Sequence, residues 1–207
     1  FMKQATAAAG VAAPYFVSSS ALGQGDKPAA NDRIQVGIIG CGNMGRVNLK
    51  NCAQYDDVVI TAAADVWKQR RETVRKRHPD TCKTYADYRE LLAQDDVDGV
   101  IIATPPHWHT LNAIHAMEAG KDVYLQKPMT MHLGESLAVR NCALQHDVVT
   151  QVGTQIHSRD NYRRVVEYVR SGKLGEIGTV RTFMVMNQGK EGIGTVKERK
   201  TPEELGW

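Results

Sequence analysis

The feature that most constrains the fold is a glycine-rich turn that directly follows a short apolar run. Residues 34–39 (IQVGII) are rich in β-branched side chains, which predicts a buried strand. Residues 40–45 (GCGNMG) place glycine first, third and sixth, and residues 43–54 then predict a helix with Met44, Val47 and Cys52 on or near one face. A chain that passes from strand to helix through such a turn can bring its backbone close to a phosphate group.

The three glycines have separate expected tasks in this G-x-G-x-x-G arrangement. Gly40 makes the tight turn, Gly42 lets the backbone approach a pyrophosphate, and Gly45 permits close packing of helix on strand. The helix amino terminus adds free N–H groups and a partial positive charge. Asp65 follows 20 residues after Gly45, at the end of the next predicted strand, where a carboxylate can bind the ribose hydroxyls of a dinucleotide.

Asp65 favours NAD over NADP, because a 2′-phosphate would meet a like charge. Three basic residues just downstream, Lys68, Arg70 and Arg71, leave NADP open, since they could receive that phosphate.

The rest of the chain alternates between strand and helix patterns as far as residue 152. This alternation predicts an α/β fold with a doubly wound parallel sheet. The further predicted strands cover 58–64, 97–103, 122–125 and 148–152. The predicted helices cover 67–77, 85–93, 108–119 (closed by Gly120) and 133–146.

The pattern changes after Gly153. Residues 160–171 predict an amphipathic helix, and residues 177–188 alternate in a way that is typical of an antiparallel strand. We therefore expect three parts: a signal and linker segment at 1–30, a Rossmann domain at 31–153, and the start of an α+β domain with an open sheet at 154–207.

Composition excludes several classes of function. The 207 residues carry a net charge of only +3, and the basic residues between 68 and 77 are spaced as a solvated helix face, so no nucleic-acid partner is expected. Four cysteines show no C-x-x-C spacing and are expected to be free and mostly buried. His107 and His109 would point to different helix faces with no third ligand evident, so no metal site is expected.

Residues 1–25 have the layout of a secretory signal. Lys3 precedes a weakly apolar run, and small residues follow at 18–23. The first three residues resemble the end of a twin-arginine signal, so we expect a periplasmic or otherwise exported protein; an ordinary disordered tail would make it cytoplasmic. The run is too short and polar for a membrane-spanning helix.

Four segments in order carry a resemblance to the glucose–fructose oxidoreductase and inositol dehydrogenase (Gfo/Idh/MocA) family. They are residues 37–45 (GIIGCGNMG), 103–109 (ATPPHWH), 125–128 (LQKP) and 151–155 (QVGTQ). The resemblance covers roughly residues 33–207. It implies a Rossmann domain followed by an α+β domain, an NAD(P) cofactor, and a sugar, cyclitol or polyol substrate.

The resemblance also implies particular site residues. Lys127 occupies the position of the family's catalytic lysine. The cofactor contacts that it implies are Gly40, Gly42, Asn43, Met44, Gly45, Asp65, Thr104, Pro105, His109, Gln126, Lys127 and Gln155. Gln126 departs from the glutamate that is usual before the lysine; glutamine keeps hydrogen bonding but has no charge. Pro128 is expected to follow a cis peptide that directs Lys127 inward.

Three functions stay open on these residues. The first is hydride transfer between a polyol and NAD(P), with Lys127 moving the proton of the reacting hydroxyl. The second is an NAD-dependent glycosidase that acts by transient oxidation and elimination. The third is a non-catalytic cofactor-binding protein. The family's acidic residue and histidine of the second domain have no match, so we expect a fragment of a longer protein, homo-oligomeric when complete.

Overall fold

The structure is a computed structural model that describes residues 28–183. Its centre is one six-stranded, wholly parallel sheet in the order β3-β2-β1-β4-β5-β6. The strands are β1 (Ile34–Ile39), β2 (Val58–Ala64), β3 (Lys83–Tyr85), β4 (Gly99–Ile102), β5 (Asp122–Gln126) and β6 (Thr150–Gly153). This order confirms the predicted doubly wound sheet, with its switch point between β1 and β4.

Between residues 28 and 183, six α-helices and three short 3-10 turns accompany the strands. The helices are α1 (Asn43–Cys52), α2 (Lys68–Arg77), α3 (Tyr88–Leu92), α4 (His109–Glu118), α5 (Leu133–Gln145) and α6 (Asp160–Arg170). The 3-10 turns are Ala30–Asp32, Pro106–Trp108 and Gln155–Ser158.

The sheet has a separate core on each face. Leu49 of α1 and Val74 of α2 pack on one face, whereas Leu91 of α3, Met117 of α4 and Val139 of α5 pack on the other. Because successive side chains of a strand point to opposite faces, adjacent residues of β1 join different cores. Burial on both faces explains why β1 and β2 are mostly apolar runs rather than alternating ones.

The sequence prediction was wrong about β3. Residues 83–85 pair with Ala62–Ala64 at the edge of the sheet, and this three-residue polar strand is too short to produce a recognisable period. The helix predicted over 85–93 is correspondingly shorter. It begins at Tyr88, because the Asp87 carboxylate accepts a hydrogen bond from the Arg89 amide at 2.9 Å and caps it.

The predicted face of α1 was wrong for two of its three residues. Met44 and Val47 are 42% and 49% exposed, whereas Cys52 is half-buried and packs against the core. The buried positions of the helix are Gly45, Asn48 and Leu49. The close approach of Gly45 to the loop decides which side of the helix meets the sheet.

The described part of the predicted second domain contains α6 but no strand. None of the α6 residues is buried, and residues 177–183 have no regular structure, contrary to the strand predicted over 177–188. Residues 184–188 of that strand lie outside the described residues, as does the predicted signal at 1–25.

All four cysteines are free, and three of them are buried, which confirms the expectation from their spacing. Across residues 28–183, no helix combines the length and the apolar character that a membrane crossing needs.

Candidate functional site: a dinucleotide cleft at the carboxyl edge of the sheet

The glycine loop joins the carboxyl end of β1 to α1, and two of its glycines are required by packing. Gly40 has φ +92°, and a Cβ there would lie 2.6 Å from the Thr104 amide nitrogen. A Cβ on Gly45 would collide with the carbonyl oxygen of Gly40. The loop is therefore pressed against both the start of α1 and the exit of β4, and larger residues cannot replace these glycines without backbone movement.

Gly42 faces open space instead. The nearest atom to a Cβ built there is Nη1 of Arg70, at 3.9 Å. Gly42 is also the N-cap of α1, and no side chain caps that helix end, so the first N–H groups, from Asn43 and Met44 onward, are not satisfied by a capping side chain. Open space over free amides at a helix amino terminus fits the pyrophosphate of a dinucleotide.

Asp65 braces this loop. Its carboxylate accepts hydrogen bonds from the Cys41 amide and from the Trp67 amide, each at 2.8 Å and each through a different oxygen. Each carboxylate oxygen can accept about two hydrogen bonds, so one position per oxygen remains for ribose hydroxyls. The sequence predicted that Asp65 contacts the cofactor, but it did not predict the hydrogen bond between Asp65 and the glycine loop.

Burial and the neighbouring Asp65 carboxylate raise the pKa of the Cys41 thiol, in that order of size. Its Sγ lies 3.6 Å from the Ala64 carbonyl oxygen. Cys41 is therefore a neutral core thiol inside the loop, and it supplies no nucleophile.

Two arginines of α2, Arg70 and Arg71, lie near Asp65. Arg71 donates to the Asp65 backbone carbonyl at 2.8 Å, so its guanidinium is tied to the chain. Arg70 stacks over the Trp67 ring, 4.7 Å from its centroid, and lies beside Gly42. Arg70 therefore places its positive charge next to the glycine loop.

The loop after β4 is held by α4. Thr104 donates from Oγ1 to Oδ1 of the buried Asn112 at 2.9 Å, and Pro105 stays exposed. His109 is 1% exposed, and its two ring nitrogens face two backbone carbonyls: Nδ1 is 2.7 Å from Pro128 O, and Nε2 is 2.8 Å from Thr104 O. The cofactor contact predicted for His109 stays a prediction. In the structure, both ring nitrogens lie against backbone carbonyls of the protein.

Gln126 ends β5 and is the hub of an amide network. Its Oε1 accepts from Asn48 Nδ2 at 3.2 Å and from Gln155 Nε2 at 2.7 Å. The network joins α1, β5 and the turn after β6. Asn48 and Asn112 were not among the predicted site residues. The signal available for Asn48 was a polar residue one turn after Gly45, on the side of α1 that packs on the sheet.

Lys127 follows directly and is exposed. Within residues 28–183 its ammonium group makes no hydrogen bond or ion pair. The Lys127–Pro128 peptide is cis, as expected.

These residues meet at one edge because the strands are parallel. The glycine loop, Thr104, Lys127 and Gln155 follow the carboxyl ends of β1, β4, β5 and β6, which are neighbours in the sheet. In open α/β sheets, ligands bind in the crevice outside this edge, at the switch point. The fold and the site together define a Rossmann-type dinucleotide-binding domain.

Comparison with known proteins identifies the family. Residues 34–154 match the model of the Gfo/Idh/MocA proteins, described as an oxidoreductase family with an NAD-binding Rossmann fold. Since this match covers more than half of the chain, the chain belongs to the Gfo/Idh/MocA oxidoreductase family.

Individual relatives agree with this assignment. Myo-inositol 2-dehydrogenase of Thermotoga maritima is 27% identical over 149 residues, which are 72% of this chain and 44% of that protein. A glycosyl hydrolase family 109 protein of Shewanella pealeana is 31% identical over 202 residues, covering 86% of this chain and 43% of that protein. The chain thus spans less than half the length of these relatives.

A solved structure shows the same fold. The scyllo-inositol dehydrogenase of Lactobacillus casei, determined with NAD(H) and scyllo-inositol, superposes with a TM-score of 0.66 and 25% identity over 70% of this chain and 43% of that chain.

Proposed function

We propose that this chain is the NAD-binding part of an enzyme that transfers hydride between NAD and a sugar, cyclitol or polyol. The observation that carries the proposal is the position of Lys127. Its exposed amine follows β5, two strands from the β1 glycine loop, on the same edge of the sheet. Inositol dehydrogenases among the relatives support cyclitols as the first substrates to test.

The residues of the chain divide the work. Gly42 and the amino terminus of α1 hold the pyrophosphate, and Asp65 holds the adenosine ribose. When bound, NAD supplies the hydride acceptor. Oxidation of a carbinol also releases the hydroxyl proton, and Lys127 Nζ is the group that bonds this hydroxyl and receives the proton.

Replacement of the lysine tests this role. In the full-length protein, Lys127→Ala should reduce kcat by about 10²- to 10⁴-fold, the usual contribution of a general acid–base group. NADH affinity, measured by fluorescence titration, should change little, because the pyrophosphate and ribose contacts lie elsewhere. Lys50→Ala, which removes an exposed lysine from the last turn of α1, is the matched control. Turnover retained in Lys127→Ala would contradict the proposed role.

A second candidate function rests on the glycosyl hydrolase family 109 relatives. In this alternative, the same cleft holds NAD tightly, and the substrate is a glycoside that is oxidised, cleaved by elimination and reduced again. Incubation with p-nitrophenyl glycosides and catalytic NAD distinguishes the two functions. Release of nitrophenol with no net NADH supports the glycosidase, whereas stoichiometric NADH from a free inositol supports the dehydrogenase.

We also propose that the protein is exported, on the basis of the signal-like composition of residues 1–25. The full gene should direct the product to the periplasmic fraction, and deletion of this segment should leave it in the cytoplasm. Immunoblots of the fractions, with a cytoplasmic marker protein as control, measure this. Equal distribution of both versions would refute export.

A further inference from the structure

His109 lies between the two loops that carry Thr104 and Lys127. The ring is 1% exposed, and it spans from Thr104 O on one side to Pro128 O on the other, at 2.8 Å and 2.7 Å. Thr104 follows β4 and Pro128 follows β5, so the ring joins the exits of two adjacent strands.

Both partners are backbone carbonyls, which only accept hydrogen bonds, so the imidazole must be the donor in any hydrogen bond that it makes to them. A neutral imidazole carries one N–H, and with that proton on Nδ1 the ring donates to the Pro128 carbonyl, the shorter of the two contacts. Packing alone would not require both nitrogens to face acceptors, and a buried carbonyl that loses its donor is left unsatisfied at a cost in free energy. The ring is therefore a polar connection rather than a filler.

The two carbonyls belong to functional segments. Pro128 is covalently next to Lys127. Thr104 lies against the glycine loop, since a Cβ built on Gly40 would be 2.6 Å from the Thr104 amide nitrogen. α4 holds Thr104 a second time, through the Asn112 carboxamide. Helix α4 therefore holds Thr104, which lies against the glycine loop, through Asn112 and His109. Among these contacts, only the one from His109 reaches the turn that bears Lys127.

We propose that His109 is the positioning residue of this site, which sets the place of Lys127 relative to the bound cofactor by donating from Nδ1 to the Pro128 carbonyl. The proposal rests on the proposed role of Lys127 in hydride transfer. His109 acts through the backbone of the lysine turn and needs no contact with cofactor or substrate.

Three substitutions in the full-length protein separate the two contacts of the ring. His109→Asn keeps an amide donor near the place of Nδ1 and so preserves the bond to Pro128. His109→Gln places its amide near Nε2, beside Thr104, and loses the bond to Pro128. His109→Phe keeps an aromatic ring but no donor.

The first measurement is amide hydrogen exchange of the peptide that spans residues 126–132, without substrate. We expect faster exchange in His109→Gln and His109→Phe than in wild type, and near wild-type exchange in His109→Asn. The second is kinetic: His109→Gln should lower kcat, by up to about 10²-fold for a misplacement near 1 Å, with NADH affinity and substrate KM little changed, and His109→Asn should restore most of kcat.

The result that overturns the proposal is equal behaviour of His109→Asn and His109→Gln in both exchange and kcat, because a packing role does not distinguish the two donors. If His109→Phe does not fold, the Asn and Gln pair still decides the question. The exchange measurement needs no turnover. A wild-type enzyme inactive on every polyol would therefore refute the proposed function, while the exchange pattern would still accept or reject His109 as the link to the lysine turn.

Discussion

Gly42 and Gly45 belong to the same turn but are required for different physical reasons. A larger residue does not fit at Gly45, since its side chain would collide with the Gly40 carbonyl oxygen. Apart from its chain neighbours, a Cβ built on Gly42 would meet no atom closer than 3.9 Å, so protein packing does not require glycine there, and we expect the open space to serve a ligand. The sequence motif treats the two positions alike, whereas the structure shows that packing requires only Gly45 of the two.

This difference leads to a prediction at the residue scale. Gly42→Ala should fold normally but weaken NADH binding by about tenfold or more, equivalent to about 1.4 kcal/mol, because its methyl group occupies the pyrophosphate space. Gly45→Ala should instead lower the free energy of unfolding by about 1–3 kcal/mol, as overpacked sites do. Fluorescence titration and urea unfolding measure the two effects.

Gly134→Ala is the control for this pair. A Cβ at Gly134 meets no atom within 4 Å, and the residue lies in the first turn of α5, so its substitution should leave NADH affinity unchanged. Equal NADH affinity of Gly42→Ala and wild type would show that the pyrophosphate does not lie over Gly42.

Gln126 shows the limit of inference from a single residue. Its place in the motif implied a cofactor contact, and the missing charge was visible in the sequence. That its carboxamide oxygen would collect donors from Asn48 and Gln155 was not visible, because these residues lie 78 and 29 positions away. Long-range hydrogen bonds of this kind depend on how the elements pack.

At the scale of elements, Asp65 connects β2, the glycine loop and the turn into α2. The carboxylate thus has a structural task besides the ribose contact expected from its spacing. Arg70, stacked on Trp67, places a positive charge nearby. We therefore expect the preference between NAD and NADP to depend on two charges: that of Asp65, which would repel a 2′-phosphate, and that of Arg70, which would attract it.

Asp65→Asn should shift this balance towards NADP. The variant keeps one acceptor oxygen for the loop but loses the repulsion, so the ratio of the NADP to the NAD dissociation constant should fall by about tenfold, or 1.4 kcal/mol. Calorimetric titration with both cofactors measures it, and Asp56→Asn, at an exposed aspartate before β2, is the control. An unchanged ratio would mean that Asp65 does not face the adenosine ribose.

Element boundaries followed the strength of the local pattern. β1 and β2 were predicted to the residue, because parallel strands buried on both faces are mostly apolar runs without strict alternation, broken here only by Gln35 and Thr61. β3 was missed because its three residues are polar and half exposed. The face of α1 was misjudged because close packing at Gly45, rather than the apolar residues Met44 and Val47, decides the helix orientation.

At the scale of the whole molecule, buried thiols couple stability to pH. Burial raises the pKa of Cys82 from 9.0 to about 11, and the pKa of Cys41 is raised further. Below pH 9 these thiols are protonated in both the folded and the unfolded chain. As pH rises above 9 the unfolded chain loses these protons first, so stability that is present at lower pH is lost.

The free energy of unfolding should therefore fall above pH 9, by up to about 1.4 kcal/mol per pH unit for each buried thiol. Urea unfolding with a reductant at a series of pH values measures the slope. Cys82→Ala should reduce the slope, whereas a slope unaffected by this substitution would assign the alkaline loss to other groups.

The sequence by itself determined the parallel α/β sheet, the phosphate-binding turn and the family, because these depend on local periods and on short motifs whose residues are neighbours in the chain. Only the tertiary structure decided that Gly42 alone among the three glycines faces open space, that Asp65 braces the loop, and that His109 joins the exits of β4 and β5. Each of these depends on distances between residues far apart in sequence, which are fixed when the strands align their carboxyl ends at one edge.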